Sequence, residues 1–270
     1  MLIWVAISLL CLYGFAVAAV ALLQERLLFF PQPLPKSHRF ELADVIERSI
    51  EVPGATLSAL HFRQPGARGL IFFLHGNGGN NELWLPDTEQ YRRVQYDVFM
   101  LDYRGYGKST GRIESEQQLH ADVLAAYRSV AGEYAGRPVV LYGRSLGTGL
   151  AAKLATDVEP PLLVLVSPYT SVRDAGREFY PWVPPFVIRY PLPTSTWLPR
   201  VTAKVLLLHG GRDAVIPLAH SRRLKAIRPD AELVVVEGAS HDDIHAFPRY
   251  IAALTGNLDA LDSKAVLRPR

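Results

Sequence analysis

Residues 139–149, Val-Val-Leu-Tyr-Gly-Arg-Ser-Leu-Gly-Thr-Gly, constrain the fold of this chain more than any other stretch. Pro138 introduces the apolar run Val139–Tyr142, which has the length and β-branching of a buried strand. Leu146–Ala155 follows, rich in Leu, Ala and Gly and free of proline, as a packed helix would be. Between them Gly143-Arg144-Ser145-Leu146-Gly147 matches G-x-S-x-G, in which a serine sits on a sharp turn from strand to helix. Such a turn strains the serine backbone, and bulky neighbours would collide across it, so the glycines have a steric task. A bare G-x-S-x-G recurs by chance. The strand before it and the helix after it make Ser145 an expected nucleophile.

A serine hydroxyl is a poor nucleophile near neutral pH. It needs a base within hydrogen-bond reach, and the base needs a carboxylate to hold its tautomer. With this elbow, acid and base fall after later strands in the order Ser, Asp/Glu, His. The predicted strand Val205–Leu208 leads into His209-Gly210-Gly211-Arg212-Asp213, and Glu232–Val236 leads into Gly238-Ala239-Ser240-His241. Asp213 and His241 are therefore the candidate acid and base. Other histidines compete. His75 and His209 each precede a glycine at a strand end and read as loop organisers; His245 is the second choice of base, and Asp174 the fallback acid. His241 and His245 are spaced i, i+4, but no further ligand cluster and no H-E-x-x-H accompany them, so no metal is expected. Acyl transfer also needs two backbone N–H donors for the oxyanion. Leu146, next to the nucleophile, is one candidate. Asn77, in the glycine-rich loop His75-Gly76-Asn77-Gly78-Gly79-Asn80 after the strand Gly69–Leu74, is the other.

The rest of the chain alternates strands and helices. Two strands flank a turn at Pro53-Gly54 within residues 45–63; Val98–Asp102 is a strand; Ser115 with Gln118 forms a capping box ahead of Leu119, Val123, Ala126, Tyr127 and Val130 at helical spacing. Leu162–Val166 is a strand, and Ala219–Ile227 and Ile244–Leu254 are helices. This alternation predicts an α/β architecture: one mostly parallel sheet with helices on both faces. Residues 172–200 break it with prolines at 181, 184, 185, 191, 193 and 199 among Tyr180, Trp182, Phe186, Tyr190 and Trp197, and read as a short cap or lid. Its aromatics either line an acyl pocket or pack the lid down. Residues 258–270 read as a loose tail.

Residues 1–23 carry no charge. As a helix rising about 1.5 Å per residue they reach roughly 34 Å, enough for a hydrocarbon core about 30 Å thick. Ala16-Val17-Ala18 has the look of a signal-peptide cleavage site, but no Lys or Arg precedes the run, and the run exceeds the usual length of about 7–15 residues. The expectation is an uncleaved single-span anchor followed by a connector over residues 24–44 and a catalytic domain over 45–257. Arg26, Lys36 and Arg39 after the span lean toward a cytoplasmic domain, although exported domains also carry such anchors, so the side is open. The net charge of +3 is scattered; Arg222, Arg223, Lys225 and Arg228 read as a solvated helix face, with contact to anionic lipid headgroups as the alternative, and no nucleic-acid motif is present. The single cysteine, Cys11, lies in the span, so neither an intrachain disulfide nor a cysteine metal site is available.

With these residues together, the chain resembles an α/β-hydrolase, and within that fold the Bem46-like membrane-anchored serine hydrolases, over roughly residues 45–255. The marks are His75-Gly76-Asn77-Gly78-Gly79, Tyr103-Arg104-Gly105-Tyr106-Gly107-Lys108-Ser109, Gly143-Arg144-Ser145-Leu146-Gly147-Thr148, Ser167-Pro168-Tyr169-Thr170-Ser171, His209 to Pro217, and Ser240-His241-Asp242-Asp243-Ile244. The resemblance implies Ser145 as nucleophile, Asp213 as acid, His241 as base, Asn77 and Leu146 as oxyanion donors, no cofactor, and a small-molecule or lipid-like ester or thioester as substrate. Relatives often carry an aspartate–serine pair where this chain reads Leu192-Pro193-Thr194-Ser195-Thr196, so the lid contacts differ. Two other readings compete: a non-catalytic anchored scaffold on the same fold, and a serine peptidase with the same triad. Nothing in the residues sets the oligomeric state.

Overall fold

A computed structural model describes residues 1–40, 42, 44–88, 91 and 93–266. The chain opens with helix α1 (Leu2–Leu28) and a two-residue strand β1 (Phe30–Pro31). A hairpin follows, β2 (Val45–Val52) and β3 (Ala55–Phe62), turning at Pro53-Gly54 as predicted. Next come β4 (Gly69–Leu74), β5 (Gly78–Gly79), β6 (Tyr96–Asp102) and α2 (Glu116–Ala131). Ser115 Oγ accepts the Gln118 N–H at 3.1 Å, but the Gln118 side chain reaches back to the N–H of Glu114 and not to that of Ser115. The elbow strand β7 (Val139–Arg144) leads into α3 (Leu146–Val158), then β8 (Leu162–Val166), α4 (Val172–Phe179) and α5 (Thr194–Trp197) in the lid. β9 (Lys204–Gly210), α6 (Ala219–Ile227), β10 (Glu232–Val236) and α7 (Pro248–Val266) complete the domain.

Eight strands form one sheet in the order β10-β9-β8-β7-β4-β6-β3-β2. The β2–β3 and β3–β6 pairs are antiparallel and the other pairs parallel, so the predicted mostly parallel sheet is present. Alternate side chains of one strand point to opposite faces. Leu70, Phe72 and Leu74 of β4 therefore pack with Leu119 and Val123 of α2, Leu150 of α3 and Leu224 of α6. Ile71 and Phe73 pack on the other face with Tyr250, Leu254 and Leu258 of α7. Both faces are covered, which is why β4 and β8 are apolar throughout and β7 is apolar until Arg144 at its end.

Three expectations are corrected. Helix does not stop at residue 23 but continues through Gln24–Leu28, the first part of the expected connector, because the helix-breaking prolines begin only at Pro31. The last helix starts at Pro248, not Ile244: Ile244–Ala246 is a separate 3₁₀ turn, and Pro248 sits where a missing N–H costs nothing. The expected tail from 258 is helical to Val266, since Leu258 continues the buried stripe of Tyr250 and Leu254 against the sheet.

Candidate active site

The loops carrying the candidate residues follow β4, β7, β9 and β10, at the carboxyl ends of parallel strands. Ser145 has φ 51° and ψ −118°, a conformation that side chains other than glycine rarely adopt. The elbow is braced from β8: the Ser145 N–H donates to Val166 O at 2.9 Å. The flanking glycines do the steric work expected. A Cβ on Gly143 would lie 2.4 Å from Gly147 O, and one on Gly147 would lie 2.1 Å from Leu74 O.

His241 Nδ1 and Asp213 Oδ2 are 2.8 Å apart, both residues being nearly buried. A carboxylate accepts, so the imidazole carries its proton on Nδ1 and presents Nε2 as the basic nitrogen. The other Asp213 oxygen accepts the N–H groups of Val215 at 3.0 Å and Ile216 at 2.8 Å. Burial pushes the Asp213 pKa up, but the His241 bond and the Ile216 N–H outweigh it, and the carboxyl is held below its ordinary range. Among the hydrogen bonds of the described residues none joins Ser145 Oγ to His241. Such bonds are often long before substrate binds and tighten on the reaction path.

The candidate oxyanion donors are poised by their neighbours. His75 Nδ1 donates to Gly76 O at 2.7 Å. In a trans peptide C=O and N–H point opposite ways, so this bond aims the Asn77 N–H, which belongs to the same peptide group. The next carbonyl, Asn77 O, accepts Phe30 N–H at 2.9 Å and Tyr106 Oη at 2.7 Å, and β1 pairs in parallel with β5. The connector from the apolar helix thus holds the loop that carries Asn77. Neither Asn77 nor Leu146 donates its N–H among the hydrogen bonds of the described residues, and Leu146 begins α3, whose dipole favours negative charge there.

The competing groups have other partners. His209 Nε2 donates to Ile216 O at 2.8 Å, and Ser221 Oγ lies 2.7 Å from its Nδ1; burial lowers its pKa, so it is a neutral strut across the acid loop. Asp174 accepts the Thr170 hydroxyl at 2.8 Å and belongs to the start of the lid, not to the His241 pair. His245 lies 3.4 Å from Arg144 Nη1. No group of three or more His, Cys, Asp or Glu suited to a metal occurs among the described residues.

Sequence reasoning missed Arg144. Its Nη2 donates to the carbonyls of His241 at 2.9 Å and Asp242 at 3.1 Å, and its guanidinium lies 5.2 Å from the Trp84 ring centre. The variable position of the elbow therefore clamps the loop of the candidate base. The motif marks that position only as any residue, so nothing in the sequence pointed to it.

Behind the Asn77 loop, His75 Nε2 lies 3.6 Å from Asp102 Oδ1, both side chains buried. Burial lowers the His75 pKa to about 4 and raises that of Asp102 to about 7. A carboxyl whose folded pKa is raised contributes stability below its unfolded pKa, about 3.9, and loses it as pH rises through the folded value. Asp102→Asn keeps the shape and removes the titration. Relative to the variant, the wild type is expected to lose stability between pH 4 and 7, measured by urea unfolding in detergent. An unchanged difference across that window would show that Asp102 does not carry this linkage.

A family model described as "Serine aminopeptidase, S33" matches residues 65–194. An uncharacterized protein of Mycobacterium tuberculosis is 33% identical over 233 residues, 82% of this chain and 81% of that protein. Alpha/beta hydrolase domain-containing protein 17C of Xenopus tropicalis is 32% identical over 206 residues, 74% of this chain and 65% of that protein. Among solved structures, an esterase of Pyrococcus furiosus superposes with a TM-score of 0.68 at 20% identity, covering 86% of this chain and 98% of its own. A bacterial membrane phospholipase A superposes with a TM-score of 0.63 at 19% identity, covering 97% and 96%. At such identities the two structures speak for the fold.

Proposed function

The chain belongs to the α/β-hydrolase superfamily, and from that premise we propose that it is a membrane-anchored serine hydrolase of the Bem46-like kind, cleaving carboxylic esters or thioesters through an acyl-enzyme. Ser145 Oγ attacks the acyl carbon while His241 Nε2 takes its proton. Asp213 holds the imidazole and stabilises the imidazolium. The N–H groups of Leu146 and Asn77 receive the oxyanion, each contributing a factor of about 10²–10³ where such donors have been removed. His241 then protonates the departing alcohol or thiol, and water attacks the acyl-enzyme with His241 again as base. The observation that carries this reading is the 2.8 Å pairing of His241 with Asp213 beside a strained serine elbow. Anchoring is supported by α1, which has a mean hydropathy of 2.5 over its most apolar window, no part of which is buried.

The test is covalent labelling. A fluorophosphonate should form one adduct, on the peptide containing Ser145, and p-nitrophenyl esters of increasing acyl length should be turned over. Folded protein that takes no label and turns over no ester would sink this reading and leave the scaffold. The description of the matching family model favours one second reading, a serine peptidase. It predicts release of p-nitroaniline from aminoacyl anilides faster than ester hydrolysis, with the same serine labelled.

A further inference from the structure

The apolar helix does not stand clear of the domain. Tyr13, midway along α1, donates its hydroxyl to the Trp182 carbonyl in the lid at 3.1 Å. Gln24 is buried: its Nε2 donates to Val187 O at 2.9 Å, and its Oε1 accepts the Arg189 N–H at 2.6 Å. Glu25 pairs with Arg189 at 2.6 Å and accepts the Tyr190 hydroxyl at 2.8 Å. The lid is therefore fastened along α1 from Tyr13 to Glu25. From Tyr13 to Leu23 the helix rises about 15 Å, half of a hydrocarbon core about 30 Å thick. With residues 2–23 filling that core, the lid tip stands inside the near leaflet.

The tip is made for such a place. Phe179, Tyr180, Trp182 and Phe186 are exposed, Phe186 at 83%. Irregular backbone is costly in lipid because open N–H and C=O groups lose water without gaining partners. Here Pro181, Pro184 and Pro185 have no N–H to satisfy. Tyr180, Val183, Val187 and Ile188 donate theirs to the carbonyls of Gly176, Tyr180, Pro184 and Pro185. A loop so depleted of open donors is cheap to strip of water.

Between tip and helix runs a cavity of about 350 Å³, lined chiefly by apolar side chains, among them Val20, Leu27, Val172 and Val183, with Gly176 on its wall. Arg173 and Arg177 line it one helical turn apart, both exposed and neither in an ion pair of the described residues. We propose that this groove binds one acyl chain of a bilayer phospholipid, with the lid tip among neighbouring tails and Arg173 and Arg177 on the headgroup phosphate. Three observations choose that occupant. The groove is continuous with the face of the proposed span, its volume lies near the small end of the ~300–1,000 Å³ of small-molecule sites, and its charges are two cations placed to meet a phosphate. The inference rests on the anchoring proposed above, not on the serine chemistry.

The test uses the full chain in vesicles of phosphatidylcholine and phosphatidylglycerol doped with a phosphatidylcholine bearing a diazirine on its palmitoyl chain. Irradiation should place adducts on peptides 20–28 and 172–188. A Cβ on Gly176 would meet nothing within 4 Å, so larger side chains extend into open groove. Gly176→Phe should cut the lid adducts at least tenfold, whereas Gly176→Ala keeps them. Replacing Arg173 and Arg177 together by Gln should weaken capture several-fold. Adducts spread along α1 without enrichment in the lid, lid adducts indifferent to Gly176→Phe, or capture of a diazirine fatty acid but not of the phospholipid would each overturn the proposal. Should Gly176→Phe not fold, a nitrobenzoxadiazole label at Phe186→Cys in a Cys11→Ser background decides. Quenching by lipid carrying a doxyl group on its chain supports immersion of the tip, and no quenching refutes it. Fluorophosphonate labelling of the same sample separates the two readings. A labelled serine without groove adducts overturns this inference alone; groove adducts on protein with an unreactive serine overturn the hydrolase alone.

Discussion

Ser145→Ala is expected to lower kcat for a p-nitrophenyl ester by about 10³-fold or more, with the residual rate coming from oxyanion donors and binding. His241→Ala should cost a similar factor, and the double variant little more than either, because a nucleophile and its base, the roles proposed for these two residues, act as one unit. The fold should survive these changes. Ser145 Oγ joins none of the hydrogen bonds of the described residues, and Asp213 keeps the N–H groups of Val215 and Ile216 when the imidazole is gone. Loss of turnover with an unchanged unfolding midpoint in detergent is therefore the signature. Additive losses in the double variant would mean that Ser145 and His241 act separately, and retained turnover in Ser145→Ala would remove the serine from the chemistry.

The same substitution at two helical glycines should move stability in opposite directions. Gly147→Ala places a Cβ 2.1 Å from Leu74 O and 2.7 Å from His75 O, both backbone atoms of the central strand's end. Neither can yield without shifting β4 and the Asn77 loop, so the loss should be at least about 3 kcal/mol, the upper part of the range for overpacked cores. Gly176→Ala, in α4, meets nothing and should stabilise by roughly 0.5–1 kcal/mol, the difference in helix propensity. Urea unfolding of the two full-length variants in one detergent reads both signs. If Gly147→Ala proved neutral, the close approach of α3 to β4 would not be a requirement of the elbow.

The candidate site was largely legible in the residues because its parts obey local rules. The elbow needs glycines at two fixed offsets from Ser145, and Asp213 and His241 each follow a run of apolar residues long enough to be a strand. The Gly-rich loop with Asn77 announced a close backbone approach in the same way. Legibility failed where an element's fate depended on a distant partner. The apolar run Leu27–Phe30 reads as lying at a membrane interface or packing on the domain, but nothing in it names the partners: Phe29 is buried against Tyr190, at 5.1 Å between ring centres, while Phe30 pairs its backbone with Gly78. Leu258 looked like the start of a tail until the sheet face supplied a surface for it.

What the sequence by itself determined is most of the strands and helices and the order of the candidate residues: periodicity, proline and glycine act within a few residues, so these elements and the Ser145, Asp213, His241 succession are read without knowledge of the whole. Only the tertiary structure decided that Arg144 clamps the His241 loop, that His75 orients the peptide bearing the Asn77 N–H, and that the lid is fastened to α1 through Tyr13, Gln24 and Glu25. The Arg144 and lid contacts join residues up to about 170 positions apart, and a pattern read over one turn or one strand carries no information about which distant carbonyl a side chain will meet; the His75 contact joins neighbours, but its direction is set by the fold of the loop around it.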